Sequence, residues 1–172
     1  MGAVLAIDLR SLNQAPVEVE GEIASDDPVW SGTGLELIEP LKVQARAEGS
    51  PSHGIWVRGS TSGRVRTSCR RCLEPLELTL SDEFELLFDP KTSDGEGDLT
   101  VYGFDPNAEE IDLRVPVGER FLLQLPGFPV CREDCPGICA HCGASLSQGE
   151  CGCVAPEPDP RWGPLRELKK KT

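Results

Sequence analysis

The spacing of eight cysteines constrains this chain more than any other feature of its sequence. One pair is separated by two residues, Cys69 and Cys72, and the other six cysteines follow much later. Those six are Cys131, Cys135, Cys139, Cys142, Cys151 and Cys153. Two thiolates on one tight turn can grip a single metal ion, and a following glycine such as Gly143 lets the backbone turn beneath the sulfurs. Eight thiols would fill two structural four-thiolate zinc sites with none left over.

The spacing also groups the thiols. One predicted site closes locally and consists of Cys139, Cys142, Cys151 and Cys153. The other joins the two halves of the chain and consists of Cys69, Cys72, Cys131 and Cys135. Its loop is long, but the entropic cost of closing a loop grows only logarithmically with length, so metal bonds can offset it. His141 lies within the local group and is an alternative ligand.

Disulfides, redox chemistry and iron–sulfur clusters compete with zinc for these thiols. The N-terminus lacks the basic region and long apolar core of a secretory signal, and no apolar run of about 18 residues could span a membrane. We therefore expect a cytoplasmic protein without membrane contact, where stable disulfides are rare. A redox C-x-x-C motif should open a helix, whereas Cys69–Cys72 precedes a strand pattern. The C-x-C and C-x3-C spacings are not those of the usual ferredoxin clusters.

The charge of the chain is strongly negative but unevenly distributed. A net charge of −12 argues against a protein that grips nucleic acid tightly by itself. Around the first cysteine pair the sign reverses, and the residues of this basic segment are Arg58, Arg64, Arg66, Arg70 and Arg71. Such short runs are often only solvated faces. The alternative is a local surface for RNA or an acidic partner, formed by Arg64, Arg66, Arg70 and Arg71.

Alternation of apolar and polar residues predicts strands through the first half of the chain. The pattern is clearest at 17–20, 43–48, 55–57 and 76–88. Frequent turn residues between these segments favour an antiparallel meander that forms a barrel or sandwich. The predicted fold class is therefore α+β and mostly β, with one or two short helices and a C-terminal cysteine-rich zinc module.

Two later segments have helical patterns. The first has apolar residues at helical spacing and a proline in its first turn, at Leu113, Pro116, Val117, Phe121 and Leu125. The second begins at Asp159 and Pro160 and would dock through Trp162, Leu165 and Leu168. We therefore predict a β body over 1–112, with an acidic loop near 89–98. Residues 113–172 would supply a helix, the zinc module and a C-terminal helix packed on that body as a single compact unit.

No arrangement of residues in the sequence points to catalysis. The two histidines, His53 and His141, are isolated, so no nucleophile–base pair can be argued from them. A catalytic zinc keeps an open position, whereas all-thiolate sites are generally closed and structural. We therefore expect a protein that is not an enzyme and has no small-molecule substrate.

Several segments, in this order, make the chain resemble the YceD-like family, the bacterial large ribosomal RNA subunit accumulation proteins. They are Cys69–Pro75, Ile111–Leu113, Leu122–Pro126, Cys131–Cys153 and Asp159–Trp162, with Leu165 and Leu168. The resemblance implies a non-enzymatic cytosolic protein needed for accumulation or processing of the large-subunit rRNA precursor.

Three functions fit these observations. The first is an accessory factor that binds precursor rRNA or the immature large subunit transiently. The second is an acidic adaptor that holds a basic ribosomal protein before assembly. The third is a zinc-dependent or redox-regulated enzyme, which only the thiols favour. The acidity favours the adaptor over direct RNA binding, and the arginines keep the accessory factor in play.

Overall fold

The computed structural model describes residues 5–49, 54–92, 100–154 and 161. The strands of this part of the chain are β1 (Ala6–Asp8), β2 (Val17–Ile23), β3 (Glu36–Leu37), β4 (Leu41–Gly49), β5 (Ile55–Ser68), β6 (Pro75–Asp89), β7 (Val101–Gly103) and β8 (Glu110–Asp112). The helices are α1 (Leu9–Leu12) and α2 (Arg114–Leu123). Short 3-10 turns occupy Pro28–Trp30 and Leu146–Gln148.

Six of the strands form one sheet in the spatial order β2-β4-β5-β6-β7, with β3 also paired to β5. Neighbouring strands are antiparallel except β6 and β7, which pair in parallel. The strands β1 and β8 form a separate antiparallel pair. The meander expected from the alternation is therefore present in β4, β5 and β6.

The predicted class, mostly β with one or two short helices, is confirmed, but of the predicted barrel or sandwich the closed barrel is not found. Among the described residues, β2 and β7 stand at opposite edges of the six-stranded sheet and do not pair, so the sheet stays open. Elements outside the sheet cover its apolar face: Ile7 of β1, Ile111 of β8 and Phe121 of α2 share its buried cluster. Closure is unnecessary because an antiparallel sheet needs only its apolar face covered.

The hairpin of β5 and β6 determines where the first cysteine pair lies. Its register runs without a break from Ile55 opposite Phe88 to Ser68 opposite Pro75. Val57 and Val65 are buried on one face, while Arg58 and Arg66 are exposed on the other. The turn that closes this hairpin, residues 69–74, carries Cys69 and Cys72 away from the main core.

The first predicted helix is present as α2, which begins one residue after Leu113 and ends before Pro126. Its Phe121 side chain is fully buried and meets the Trp30 ring edge to face, with centroids 6.3 Å apart. No helix of the described residues is both long and apolar enough to cross a membrane.

Some predictions fall where the structure gives no description. The C-terminal helix from Asp159 through Leu168, the histidine at His53, and the acidic loop beyond Thr92 lie outside the described residues, apart from Arg161. The division of the chain at 112/113 stays a prediction.

Candidate metal centres

The first knuckle, Cys69–Leu73, is a tight turn held by its own backbone. The Cys69 N–H donates to the Glu74 carbonyl oxygen (2.9 Å), and the Leu73 N–H donates to the Cys69 carbonyl oxygen (2.9 Å). The Arg71 N–H points at the Cys69 Sγ, 3.5 Å away. This geometry presents both thiols of the pair on one side of the turn.

A segment from the second half of the chain packs against this knuckle. The Arg70 N–H donates to the Pro129 carbonyl oxygen (2.8 Å), and the Cys131 N–H donates to the Cys69 Sγ (3.4 Å). The guanidinium of Arg71 donates to the carbonyl oxygens of Glu133 (2.8 Å) and Cys135 (3.1 Å). These bonds connect a distant stretch of chain to the hairpin turn.

Site 1 consists of Cys69, Cys72, Cys131 and Cys135, whose Sγ atoms all lie within 4.8 Å of one another. The Sγ atoms of Cys69 and Cys135 are 3.9 Å apart, and those of Cys72 and Cys131 are 3.8 Å apart. A tetrahedral zinc ion with bonds of about 2.3 Å sets its sulfurs about 3.8 Å apart, so the thiols fit such an ion. Three of the four cysteines are buried, and Cys131 is exposed.

Site 2 consists of Cys139, Cys142, Cys151 and Cys153, whose Sγ atoms also lie within 4.8 Å of one another. The second knuckle, Cys139–Gly143, belongs to site 2 and has the same pattern of hydrogen bonds as the first. The Cys139 N–H donates to the Ala144 carbonyl oxygen (2.8 Å), the Gly143 N–H to the Cys139 carbonyl oxygen (2.9 Å), and the His141 N–H to the Cys139 Sγ (3.4 Å). All four cysteines are half-buried or exposed, so site 2 is more open to solvent than site 1.

Backbone amides prepare one thiol of each site for metal binding. The amide of Cys72, followed by that of Cys131, lowers the pKa of Cys69 to about 6, since an N–H donor stabilises the thiolate. The amides of Cys142 and His141 do the same for Cys139, whose pKa is also lowered to about 6. The neighbouring thiols then resist losing further protons: hydrogen bonding with Cys135 raises the pKa of Cys131 to about 12, and hydrogen bonding with Cys142 raises that of Cys153 to about 12. A bound cation would favour the thiolate form of these thiols and so offset the raised pKa values.

The structure brings together the same two sets of four thiols that the spacing grouped, and His141 is not a member of either set.

Two arginines of the basic segment form ion pairs on the sheet. Arg64 pairs with Glu77 (2.7 Å), and Arg66 pairs with Glu36 (2.6 Å). Since these pairs are exposed they are weak, and both side chains can still be redirected to a partner.

Two residues of the first knuckle have roles that sequence reasoning did not identify. The sequence predicts Arg71 only as a surface contact, yet it connects the knuckle to the segment around Glu133. Leu73 has a φ of 62° and is the one non-glycine residue with positive φ in the described part of the chain. The sequence offers a sign of this positive φ, because Leu73 occupies the position that Gly143 occupies in the second knuckle.

The fold and the two clusters define a small β protein with paired four-cysteine sites. A model of one protein family, described as large ribosomal RNA subunit accumulation protein YceD, matches residues 57–169. The chain belongs to the YceD family. The matched region contains all eight cysteines. No solved structure gives a significant match to this chain.

Relatives in other organisms agree with this family. An uncharacterized protein of Mycobacterium tuberculosis is 35% identical over 147 residues, covering 78% of this chain and 67% of the relative. An uncharacterized protein of Mycobacterium leprae is 31% identical over 150 residues, covering 82% of this chain and 67% of the relative. A chloroplastic Arabidopsis thaliana protein, named large ribosomal RNA subunit accumulation protein YCED homolog 1, is 32% identical over 68 residues, covering 40% of this chain and 21% of the relative.

Proposed function

We propose that this protein is a non-enzymatic accessory factor for the accumulation and processing of large-subunit rRNA. It acts in ribosome assembly by binding precursor rRNA or the immature large subunit transiently. The family match over residues 57–169 carries this proposal, because the family is described by its role in large ribosomal RNA subunit accumulation. The protein works in the cytoplasm, without a membrane or a small-molecule substrate.

Two structural zinc ions belong to this proposal, one in site 1 and one in site 2. The sulfur separations of 3.8 and 3.9 Å in site 1 support a tetrahedral ion. The thiols of both sites are free, and cysteine sulfurs favour zinc over hard cations such as magnesium. Four thiolates fill the coordination of zinc, so the metal would stabilise the fold and leave no position for a substrate.

Binding to the assembling subunit uses a composite surface. The arginines Arg64, Arg66, Arg70 and Arg71 are the proposed RNA or partner contacts. A net charge of −12 opposes broad contact with phosphates, so the RNA contribution is local and sensitive to salt. Of the four, Arg70 is the best placed, since its side chain has no ion pair among the described residues and its backbone is fixed by Pro129.

A second function, an acidic adaptor for a basic ribosomal protein, is favoured by one surface of the sheet. A groove of about 540 Å³ lies on the sheet, with Ser60 and Ser62 among its lining residues. Glu20 and Glu22 of β2 also line this groove, together with Lys42 of β4, so the carboxylates outnumber the one cation. Small hydroxyl side chains beside carboxylates can accept a lysine or arginine side chain of a partner.

Binding to immature large-subunit particles and to the protein-free rRNA extracted from them tests the proposal. Depletion of the protein should lower the level of large-subunit rRNA and spare the small subunit. The wild-type chain should bind the particles, and Arg70→Glu should weaken that binding and reduce its dependence on salt. Arg10→Glu, which makes the same charge change on α1, serves as the matched control.

Two results would contradict this function. One is an unchanged ratio of the subunits after depletion. The other is cleavage or modification of rRNA by the purified protein alone. Tight binding to an isolated basic ribosomal protein, with no binding to particles, would favour the adaptor instead.

A further inference from the structure

The two knuckles share their backbone hydrogen bonds but differ in the residue at the fifth position. Both have two cysteines separated by two residues, an amide directed at the first sulfur, and a fifth residue whose N–H donates 2.9 Å to the first carbonyl oxygen. That fifth residue has positive φ in both: 62° for Leu73 and 72° for Gly143. Glycine adopts this backbone at no steric cost, whereas a leucine is strained by its Cβ.

Burial does not explain the leucine, because the side chain of Leu73 is 61% exposed. A strained, exposed apolar residue contributes little to the stability of the isolated fold. Backbone strain of this kind is typical of sites that contact another molecule, since the surrounding structure holds it in place. The hydrogen bonds of the first knuckle supply that support.

A second exposed apolar side chain lies beside the same knuckle. The Arg70 N–H donates to the Pro129 carbonyl oxygen at 2.8 Å, which brings Phe128, the residue before Pro129, to this end of the hairpin. Phe128 is 84% exposed. We call Leu73 and Phe128 together the knuckle tip. Leu73 lies on the turn itself and Phe128 in the segment bonded to it, so the backbone bonds of the knuckle limit the ordering entropy lost on binding.

We propose that the knuckle tip is a docking surface that inserts into an apolar pocket of a ribosomal protein on the immature large subunit. This inference rests on the proposed function and adds the anchor that provides affinity. Buried aliphatic and aromatic anchors supply most of the binding energy in protein interfaces.

The charges around the knuckle tip favour a protein over RNA as its occupant. Arg64 and Arg66 are paired with glutamates, and the guanidinium of Arg71 is engaged with carbonyl oxygens. Arg70 has no ion pair among the described residues, so one guanidinium here is available to a phosphate without breaking another contact. The chain as a whole carries −12, which repels phosphates. A leucine has neither a ring to stack on a base nor a polar group to read one, so an apolar protein pocket complements it better.

Two variants with opposite expected effects distinguish a loss of particle binding from a loss of thermal stability. Leu73→Gly removes the strain, so the variant should melt no lower than wild type, yet its dissociation constant for immature large-subunit particles should rise about tenfold. Gly143→Leu places the same strain in the second knuckle. It should lower the melting temperature while leaving particle binding within about twofold of wild type. Phe128→Ser should weaken particle binding with an unchanged melting temperature, since its ring is exposed.

Protein-free rRNA extracted from the particles identifies the chemistry of the partner. Leu73→Gly should bind this rRNA as wild type does, and a photoreactive leucine at position 73 should crosslink to a ribosomal protein of the particle. Equal losses on protein-free rRNA, or crosslinks to rRNA, would overturn the proposal in favour of an RNA contact. Unchanged particle binding by Leu73→Gly would also overturn it, as would a clear loss of thermal stability in that variant. If wild type does not bind particles at all, the proposed function fails together with this anchor.

Discussion

The guanidinium of Arg71 lies 2.8 Å from the carbonyl oxygen of Glu133, 62 residues further along the chain. A second bond, 3.1 Å to the carbonyl oxygen of Cys135, makes this side chain a clamp between the hairpin turn and the segment that completes site 1. The four thiols of site 1 thus depend on an arginine that is not itself a ligand.

Replacement of Arg71 should therefore destabilise site 1. Arg71→Glu loses both bonds to the carbonyl oxygens and places a negative charge beside them. We expect a loss of about 1–3 kcal/mol in the free energy of unfolding and weaker zinc retention against a chelator. Arg70→Glu in the adjacent position is the control, and it should change neither quantity by more than about 0.5 kcal/mol, because its side chain is exposed. Equal effects of the two variants would show that the clamp is not important.

Metal analysis should find two zinc ions per chain in protein prepared under reducing conditions. Cys135→Ser and Cys153→Ser should each lower the count, but the first should destabilise the protein more. Site 1 closes the long loop from Cys72 to Cys131, whereas site 2 closes the short loop from Cys142 to Cys151. The difference in loop-closure entropy corresponds to about 1–2 kcal/mol. Atomic spectroscopy and thermal denaturation check this, and a content below one zinc per chain would contradict it.

Acid should remove the contribution of Asp112 to stability. Partial burial alone would raise the pKa of its carboxyl, but hydrogen bonds from the Arg114 backbone (2.8 Å) and guanidinium (2.6 Å) outweigh burial and lower it. A lowered pKa stabilises the fold above the ordinary value near 3.8, and this stabilisation disappears as the pH falls through the folded value. Asp112→Asn should cost about 0.5–1 kcal/mol at neutral pH and progressively less below about pH 4. Denaturant unfolding across this range measures the difference, and a cost independent of pH would count against it.

The only tyrosine of the chain offers a spectroscopic check of the α2 packing. Tyr102 donates a hydrogen bond of 2.8 Å to Glu119, and burial followed by this carboxylate raises the pKa of its hydroxyl well above the ordinary value. The contribution of the protonated Tyr102 hydroxyl to the free energy of unfolding is complete below about pH 10 and is lost at higher pH. Tyrosinate absorbance should therefore appear later in the native protein than in the unfolded chain. Glu119→Gln should move its appearance to lower pH, and identical titrations of the two proteins would refute the interaction.

Local patterns in the sequence were sufficient to predict much of this protein. The strands follow from alternating side chains, and α2 follows from apolar residues at helical spacing around Pro116. The pairing of Cys69 with Cys72 and of Cys139 with Cys142 follows from cysteine spacing, because two cysteines separated by two residues share one turn. Each of these properties depends on a few neighbouring residues, so the sequence by itself determined them.

The tertiary structure decided the features that depend on distant segments. Whether β2 reaches β7 is determined by what covers the apolar face, and Phe121 of α2 covers part of it, so the sheet remains open. Arg71 has carbonyl partners only because the backbone after Pro129 folds back onto the hairpin turn. The positive φ of Leu73 likewise follows from the knuckle geometry, against the preference of a leucine. A one-dimensional pattern does not specify such relationships, because they arise from loop closure and packing between parts of the chain about 60 residues apart.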